Sequence, residues 1–509
     1  MSGKTGKSRI NVCFRLNGGI GTYLMQENFI QYFYEKFSDI VSITVYGAAS
    51  QEVNDGLFKG QTFIDAYRLR QDYVPNLYDL AVDINWFPNV VHIDTKKVNA
   101  ASEELSQVVG RWIAFKTSPQ TSEYMRNDSM FDPNIYTYAI VNGKNRVNVM
   151  DIGGLLGIGP VFKLSLRVKE PGETLSLFGL ENQKYITMQQ GVNANSLSSR
   201  SPKQWPNEYY SGLCKLLKER FPDVILVQLG ETGNNEKIDG VDKCLLGRTS
   251  FEDLKVLLKN AALHVDGECG MVHMRRALHA GPSVVLYGQT PARVYGHEED
   301  INLTANLCGD GCGKLFSGWK RRCYIADEPL CMKAITPEYV AETIGTYLSG
   351  QYRFPEKEPT LREKMLADPR IRLDEEWVDS WLKLWTVFGY WLEKIKIRDL
   401  SASKLTPQAP DGYAPAPIIE MPAYQYLTGN KQSYLDYMAL NDQYNPGHEH
   451  SLERFEKLLE RFRNGFDEKY TIAVDGSNTI LDGLHRVCWL AWKNGLDSEI
   501  TVLKLYGDW

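Results

Sequence analysis

The 509-residue sequence has no run approaching eighteen uninterrupted apolar residues, so it offers no membrane-spanning helix. No apolar segment follows the polar, basic stretch from Met1 to Arg9, which argues against a secretory leader and sets the expectation of a cytoplasmic chain. A basic excess is missing too. Lys and Arg number 57 against 63 Asp and Glu, for a net charge of -6, so there is no global field of the sign that nucleic acid needs. No internal repeat is present. Gly6-Lys7-Ser8 matches only the end of a phosphate-binding loop, whose first glycine would fall on Met1, and it precedes a strand rather than following one. Cysteine is sparse. Of nine, Cys13, Cys214, Cys244, Cys269 and Cys488 are scattered as core or loop residues would be, while Cys308, Cys312, Cys323 and Cys331 cluster.

What is present is a soluble globular composition, 43% hydrophobic and 24% charged, over a length that calls for more than one core. Ile10–Leu16 reads as a strand, Asn17–Gly21 as a glycine turn, Tyr23–Phe37 as a helix and Ile40–Tyr46 as the next strand. This is a parallel α/β unit, and a glycine turn feeding a helix N-terminus suits a phosphate. Such a turn serves equally as plain turn chemistry. Tyr78–Trp86 is a further strand, and residues 99–178 are irregular.

A second unit opens with the strand Tyr185–Gln190 and a helix started by Pro206, with Tyr209, Leu213, Leu216, Leu217 and Phe221 as its buried stripe. Val224–Leu229 is a strand, Ser250 and Asp253 are spaced as a capping box for the helix Phe251–Ala262, and Leu263–Val265 is a strand. The turn Asp266–His273, the helix Met274–Ala280 and the strand Ser283–Tyr287 complete a doubly wound pattern. Beyond it, Trp377, Trp381, Trp385, Trp391 and Leu392 recur at helical intervals, which predicts an amphipathic helical connector packing the domains. Pro407–Pro422 reads as a linker, followed by a helix over Ser451–Asn464 and a small α+β unit: strand Tyr470–Asp475, Thr479–Leu481, helix Gly483–Asn494 and strand Glu499–Tyr506.

Gly19-Ile-Gly21-Thr22, Lys203-Gln-Trp205-Pro206, Glu268-Cys269-Gly270-Met-Val-His273 and Leu286-Tyr287-Gly288-Gln289-Thr290 occur in this order. Together they resemble the ADP-heptose lipopolysaccharide heptosyltransferases of glycosyltransferase family 9. The resemblance implies an α/β chain with the GT-B fold: a Rossmann-like acceptor domain over 1–178 and a donor-nucleotide domain over 179–354; beyond it the residues themselves read as a connector over 355–406 and a terminal domain over 407–509. It implies an inverting sugar transfer from an ADP-sugar to a glycan, lipid-linked or protein acceptor, with no catalytic metal and no nucleic acid. It leaves a homo-oligomer and a location at the inner-membrane periphery open. Donor-site residues implied by it are Gly19, Gly21, Lys203, Glu236, Arg248, Thr249, Glu268, Cys269, Gly270 and Gly288, with Lys203 on the diphosphate, Glu236 on the ribose and His273 at the departing nucleotide. Lys203 as an exposed lysine before a helix and His273 as a structural residue are the alternatives. Thr22 stands where the family has its aspartate base. A hydroxyl is too weak a base near neutral pH, so the proton must go elsewhere, to Glu27 or to a carboxylate of the irregular region.

Four thiolates at Cys308, Cys312, Cys323 and Cys331 can close a tetrahedral iron or zinc site, and the autotransporter heptosyltransferases are similar in carrying such an iron motif. Reduced, unligated cysteines are the alternative. Asp482-Gly483-Leu-His485-Arg486 resembles the turn shared by ParB, sulfiredoxin and a free-serine kinase. Gly483 opens a helix whose N–H groups, with His485 and Arg486, make a phosphate clamp, and Asp482 belongs to the same turn. ATP or ADP is the ligand implied, and the alternatives are an ATP-dependent kinase of a small molecule or sugar, or a non-catalytic nucleotide-sugar scaffold. Leu484 occupies the position of the sulfiredoxin cysteine, which argues against that chemistry.

Overall fold

The computed structural model describes residues 9–117, 136, 139–140, 143–190, 203–232, 235–305, 307, 323, 326, 328–355, 359, 361–372, 375, 378, 386–407, 412–444, 451–464 and 471–508. The chain forms two compact units divided after Lys357. Among the described residues no helix is long and apolar enough to cross a membrane.

The first unit holds two Rossmann-like sheets. β1 (Ile10–Leu16), β2 (Val41–Tyr46), β3 (Ala66–Arg68), β4 (Leu80–Ile84) and β5 (Pro88–Ile93) run in the order β3-β2-β1-β4-β5, parallel except for the β4–β5 pair. Val12, Phe14 and Leu16 alternate into the core, where Phe14 meets Phe29 and Phe33 of the helix Ile20–Phe37 edge-on. β6 (Tyr185–Met188), β7 (Ile225–Gln228), β8 (Lys243–Cys244), β9 (Leu263–Gly267), β10 (Ser283–Tyr287) and β11 (Ile301–Thr304) form the second sheet, in the order β11-β10-β9-β6-β7-β8. All its pairings are parallel. β6, β9 and β10 are buried along their whole length, as strands covered on both faces must be. The order reverses between β6 and β9, and ligands bind such sheets at the carboxyl ends of the strands flanking that point.

Two expectations shift slightly here. The helix after β9 starts at Gly270, not Met274, so His273 sits in its first turn. On the helix Asn207–Arg220 the fully buried stripe is Tyr210, Leu213, Cys214 and Leu217, one residue round from the expected one, with Tyr209, Leu216 and Phe221 at its margin. The Ser250–Asp253 capping box is present as expected.

The second unit is built on β12 (Thr386–Lys396), β13 (Ser401–Leu405), β14 (Tyr413–Pro417), β15 (Ile472–Val474), β16 (Thr479–Asp482) and β17 (Glu499–Asp508), in the order β12-β17-β15-β16-β13-β14. The connector expected over 355–406 is therefore corrected. Trp391 and Leu392 lie in β12, which pairs with β17 over ten residues of β-branched and aromatic composition. Neighbouring strand residues point to opposite faces, so Trp391 is exposed while Leu392 packs inward, an outcome that helical spacing does not give. Trp377, Trp381 and Trp385 lie outside the described residues. The expected linker Pro407–Pro422 is corrected in the same way: Pro415 and Pro417 belong to β14, the edge strand, where a missing N–H costs no ladder bond.

Candidate active site

The carboxyl end of β9 gathers a chain of charged and polar side chains. Glu268, whose side chain is 7% exposed, forms an ion pair with Lys203 and accepts from His273 Nε2 at 3.3 Å. His273 Nδ1 lies 2.8 Å from Nε2 of His297, a residue that no sequence pattern singled out. Burial alone would raise the Glu268 carboxyl, but Lys203 and His273 outweigh it and hold it at about 2, so Glu268 is ionised. An ionised carboxylate only accepts hydrogen bonds, so His273 Nε2 carries its proton there. Both ring nitrogens of His273 are thus engaged within the protein. Lys203, half-buried, is the member of the chain with open access.

A second buried chain lies beside it. Thr187 Oγ1 contacts His264 Nδ1 at 3.0 Å, His264 Nε2 contacts Asp266 at 3.1 Å, and the Cys269 thiol donates to the same carboxylate. Burial, then the Asp266 charge, pushes the Cys269 thiol up, so it is a neutral donor rather than a nucleophile. Cys269 caps the helix Gly270–Ala277 by position: its side chain makes no well-formed cap bond, although the Met271 and Val272 N–H groups point toward its sulfur.

The glycine turn after β1 meets this site directly. A Cβ on Gly21 would lie 2.5 Å from His273 Cδ2 and 3.3 Å from Gly270 Cα. Since His273 is pinned at both nitrogens, Gly21→Ala is expected to cost about 2 kcal/mol in chemical denaturation, as overpacked cores do. Gly19 is the helix N-cap and faces open space. Thr22 is half-buried against Gly18. Glu27 is fully buried and burial raises its carboxyl well above the usual range, which removes it as an accessible base.

The remaining expected residues are less concentrated. Glu236 is exposed and accepts from Asn207 Nδ2 at 3.3 Å, and Asn207 in turn accepts from Gln190, just beyond β6. Arg248 is exposed and Thr249 half-buried before the capped helix Phe251–Asn260. Gly288 is buried just after β10. Cys308 and Cys312 lie outside the described residues, while Cys323 is buried and Cys331 half-buried. Among the described residues no group of three or more metal-ligating side chains comes together.

The second unit contains a cavity of about 560 Å³ at the expected clamp. Asp482, Gly483, His485 and Arg486 all line it, joined by Arg461 and Ser403, which sequence reading missed because they come from a separate helix and strand. Gly483 adopts φ 96°, a left-handed conformation suited to glycine, and opens the helix Leu484–Asn494. Arg486 donates to Asp482 at 2.6 Å, which fixes its fork at the cavity wall.

Residues 162–309 match glycosyltransferase family 9 (heptosyltransferase). No curated protein matches the sequence. Among solved structures the chain is similar to E. coli ADP-heptose lps heptosyltransferase II, at 15% identity over 67% of this chain and 99% of that one, with a TM-score of 0.43. It is also similar to the glycosyl transferase family 9 protein from Veillonella parvula DSM 2008, at 12% identity over 68% and 99%, with a TM-score of 0.42. A third is the iron-containing dodecameric glycosyltransferase TibC from enterotoxigenic E. coli H10407, at 13% identity over 68% and 78%, with a TM-score of 0.43. The matched segment 162–309 takes in all six strands of the second sheet, Lys203 and the whole Asp266–His273 turn; by this family 9 domain the chain is a glycosyltransferase.

Proposed function

We propose that the first unit is a GT-B enzyme that transfers a sugar from an ADP-linked donor, with heptose the first to test, to a bacterial glycan such as lipopolysaccharide or capsule, with inversion. The observation that carries this reading is the Lys203–Glu268–His273 cluster at the switch point of the all-parallel sheet, inside the family 9 domain. Lys203 and the N–H groups opening the helix Gly270–Ala277 would hold the donor diphosphate and take up charge as the nucleotide leaves. Glu268 and His273 hold the lysine in place. Gly19, Gly21, Cys269, Gly270 and Gly288 shape the pocket walls, and Glu236, Arg248 and Thr249 are assigned to the nucleoside. Thr22 would orient the acceptor hydroxyl, and the base is a group other than Glu27. A structural iron or zinc on Cys308, Cys312, Cys323 and Cys331 belongs to the same proposal and has no chemical role in it. Incubating the chain with a panel of nucleotide sugars and following ADP release tests the reading. Turnover of an ADP-sugar is expected, and no turnover of any donor would sink it.

The cavity of the second unit favours a second, separate site there. Its two arginines, a histidine and a helix start match an organic phosphate such as ATP or ADP, the ligand that a kinase of a small molecule or sugar would use. Arg461→Ala and Arg486→Ala are each expected to weaken ATP binding roughly 10- to 100-fold in calorimetry on the full chain, the range for a lost charge-assisted pair. Unchanged affinity in both would remove the site.

A further inference from the structure

We infer that His297 is a positioning residue for sugar transfer: hydrogen-bonded to His273 Nδ1, it lets His273 take up or release a proton without losing the hydrogen bond between the two rings. The inference rests on the transferase reading of this site.

His297 is 2% exposed, and its ring stands edge-on to His273, with centroids 5.1 Å apart at 79°. Phe162 packs against its ring at 5.3 Å. The loop that carries it is tied down: the His297 carbonyl accepts from Asp300 N at 3.1 Å and from Asn302 Nδ2 at 2.8 Å. The charged groups around the histidine pair are Glu268 on the turn, Lys203 on its loop, Arg276 on the helix of His273, and Asp300, which pairs with Arg276 at 3.3 Å. Burial, reinforced by His273 and Arg276, pushes the His297 imidazole well below its usual range, so His297 stays neutral.

One hydrogen occupies the gap between His273 Nδ1 and His297 Nε2. With His273 neutral, its Nε2–H goes to Glu268 and His297 Nε2–H donates to His273 Nδ1. When the pair takes up one proton from solvent, it arrives at His297 Nδ1 while the bridging hydrogen passes from His297 Nε2 to His273 Nδ1, so that His273 Nδ1–H then donates and His297 Nε2 accepts. No hydrogen bond within the pair is lost in either state. Positive charge can therefore build up beside Glu268 and Lys203 as the nucleotide leaves, with no movement of heavy atoms.

Two variants of the full chain separate this role from packing. His297→Phe keeps a ring but offers His273 no acceptor, whereas His297→Gln retains an amide that accepts and donates. The His273 imidazole is followed by ¹⁵N NMR, its signal assigned by its loss in His273→Gln, alongside donor kinetics. In His297→Phe the His273 Nδ1 signal is expected to lose its hydrogen-bond shift, with kcat down roughly tenfold or more and donor KM within about threefold. His297→Gln is expected to restore both. A folded phenylalanine variant with an unchanged His273 Nδ1 signal, or a glutamine variant as impaired as phenylalanine, overturns the inference. If the phenylalanine variant does not fold, His297→Asn, whose amide stops short of His273, replaces it. A chain that transfers no sugar defeats the transferase reading, while the Nδ1 signal still decides the role of His297.

Discussion

Replacing Glu268 by alanine is expected to abolish transfer and to destabilise the first unit by about 3 kcal/mol, the low end for breaking a buried ion pair from one side. The low end applies because Lys203, 23% exposed, can recover water when its partner is lost. His273 has no such recourse, being buried with its Nε2–H aimed at the missing carboxylate. The sign of the pH dependence follows from the direction of the shift. Folding lowers the Glu268 carboxyl from 4.5 to about 2, so its contribution is complete above pH 4.5 and is lost as the pH falls from there toward 2. That shift corresponds to roughly 3 kcal/mol. Glu268→Gln, which keeps the shape without the charge, should therefore flatten the acid side of the stability profile, measured by urea denaturation between pH 7 and pH 3. A variant whose profile runs parallel to that of the parent would show that Glu268 is not the buried anion described.

Lys203→Ala is expected to have the larger effect on chemistry than on stability. Losing a preorganised cation from a leaving-group site lowers kcat/KM for the nucleotide sugar by about 10²- to 10³-fold. The stability loss should be smaller than for Glu268→Ala, because His273 still hydrogen-bonds the remaining carboxylate. Lys203→Arg should fall between, since a planar fork replaces a compact ammonium in a space shaped for the latter. Steady-state kinetics with the best donor, together with denaturation of both variants, measures the split. A Lys203→Ala enzyme with parental kcat/KM would place the donor phosphate elsewhere.

Much of this site could be read in the sequence, because its parts are local. The strand β9, the glycine behind it and the capped helix Phe251–Asn260 each announce themselves within a few residues. Gly270 hid the start of its own helix, since glycine disfavours helices and reads as turn. His297 was invisible because it reaches His273 across 24 residues of chain, and no spacing rule links them. Arg461 and Ser403 were missed for the same reason. The tryptophans before residue 400 misled differently: a spacing that fits a helix was overridden at Trp391 by pairing with β17, a partner more than a hundred residues away. Proline at 415 and 417 reads as a linker, although an edge strand tolerates it. At Thr22 and Glu27 only burial decides, showing that the carboxylate nearest in sequence to the expected base position cannot serve.

The most direct test is a crystal structure of the full chain with ADP bound. The diphosphate is predicted to lie between the Lys203 ammonium and the first N–H groups of the helix Gly270–Ala277. ADP found only in the cavity lined by Arg461 and Arg486, with nothing at Lys203, would contradict the account.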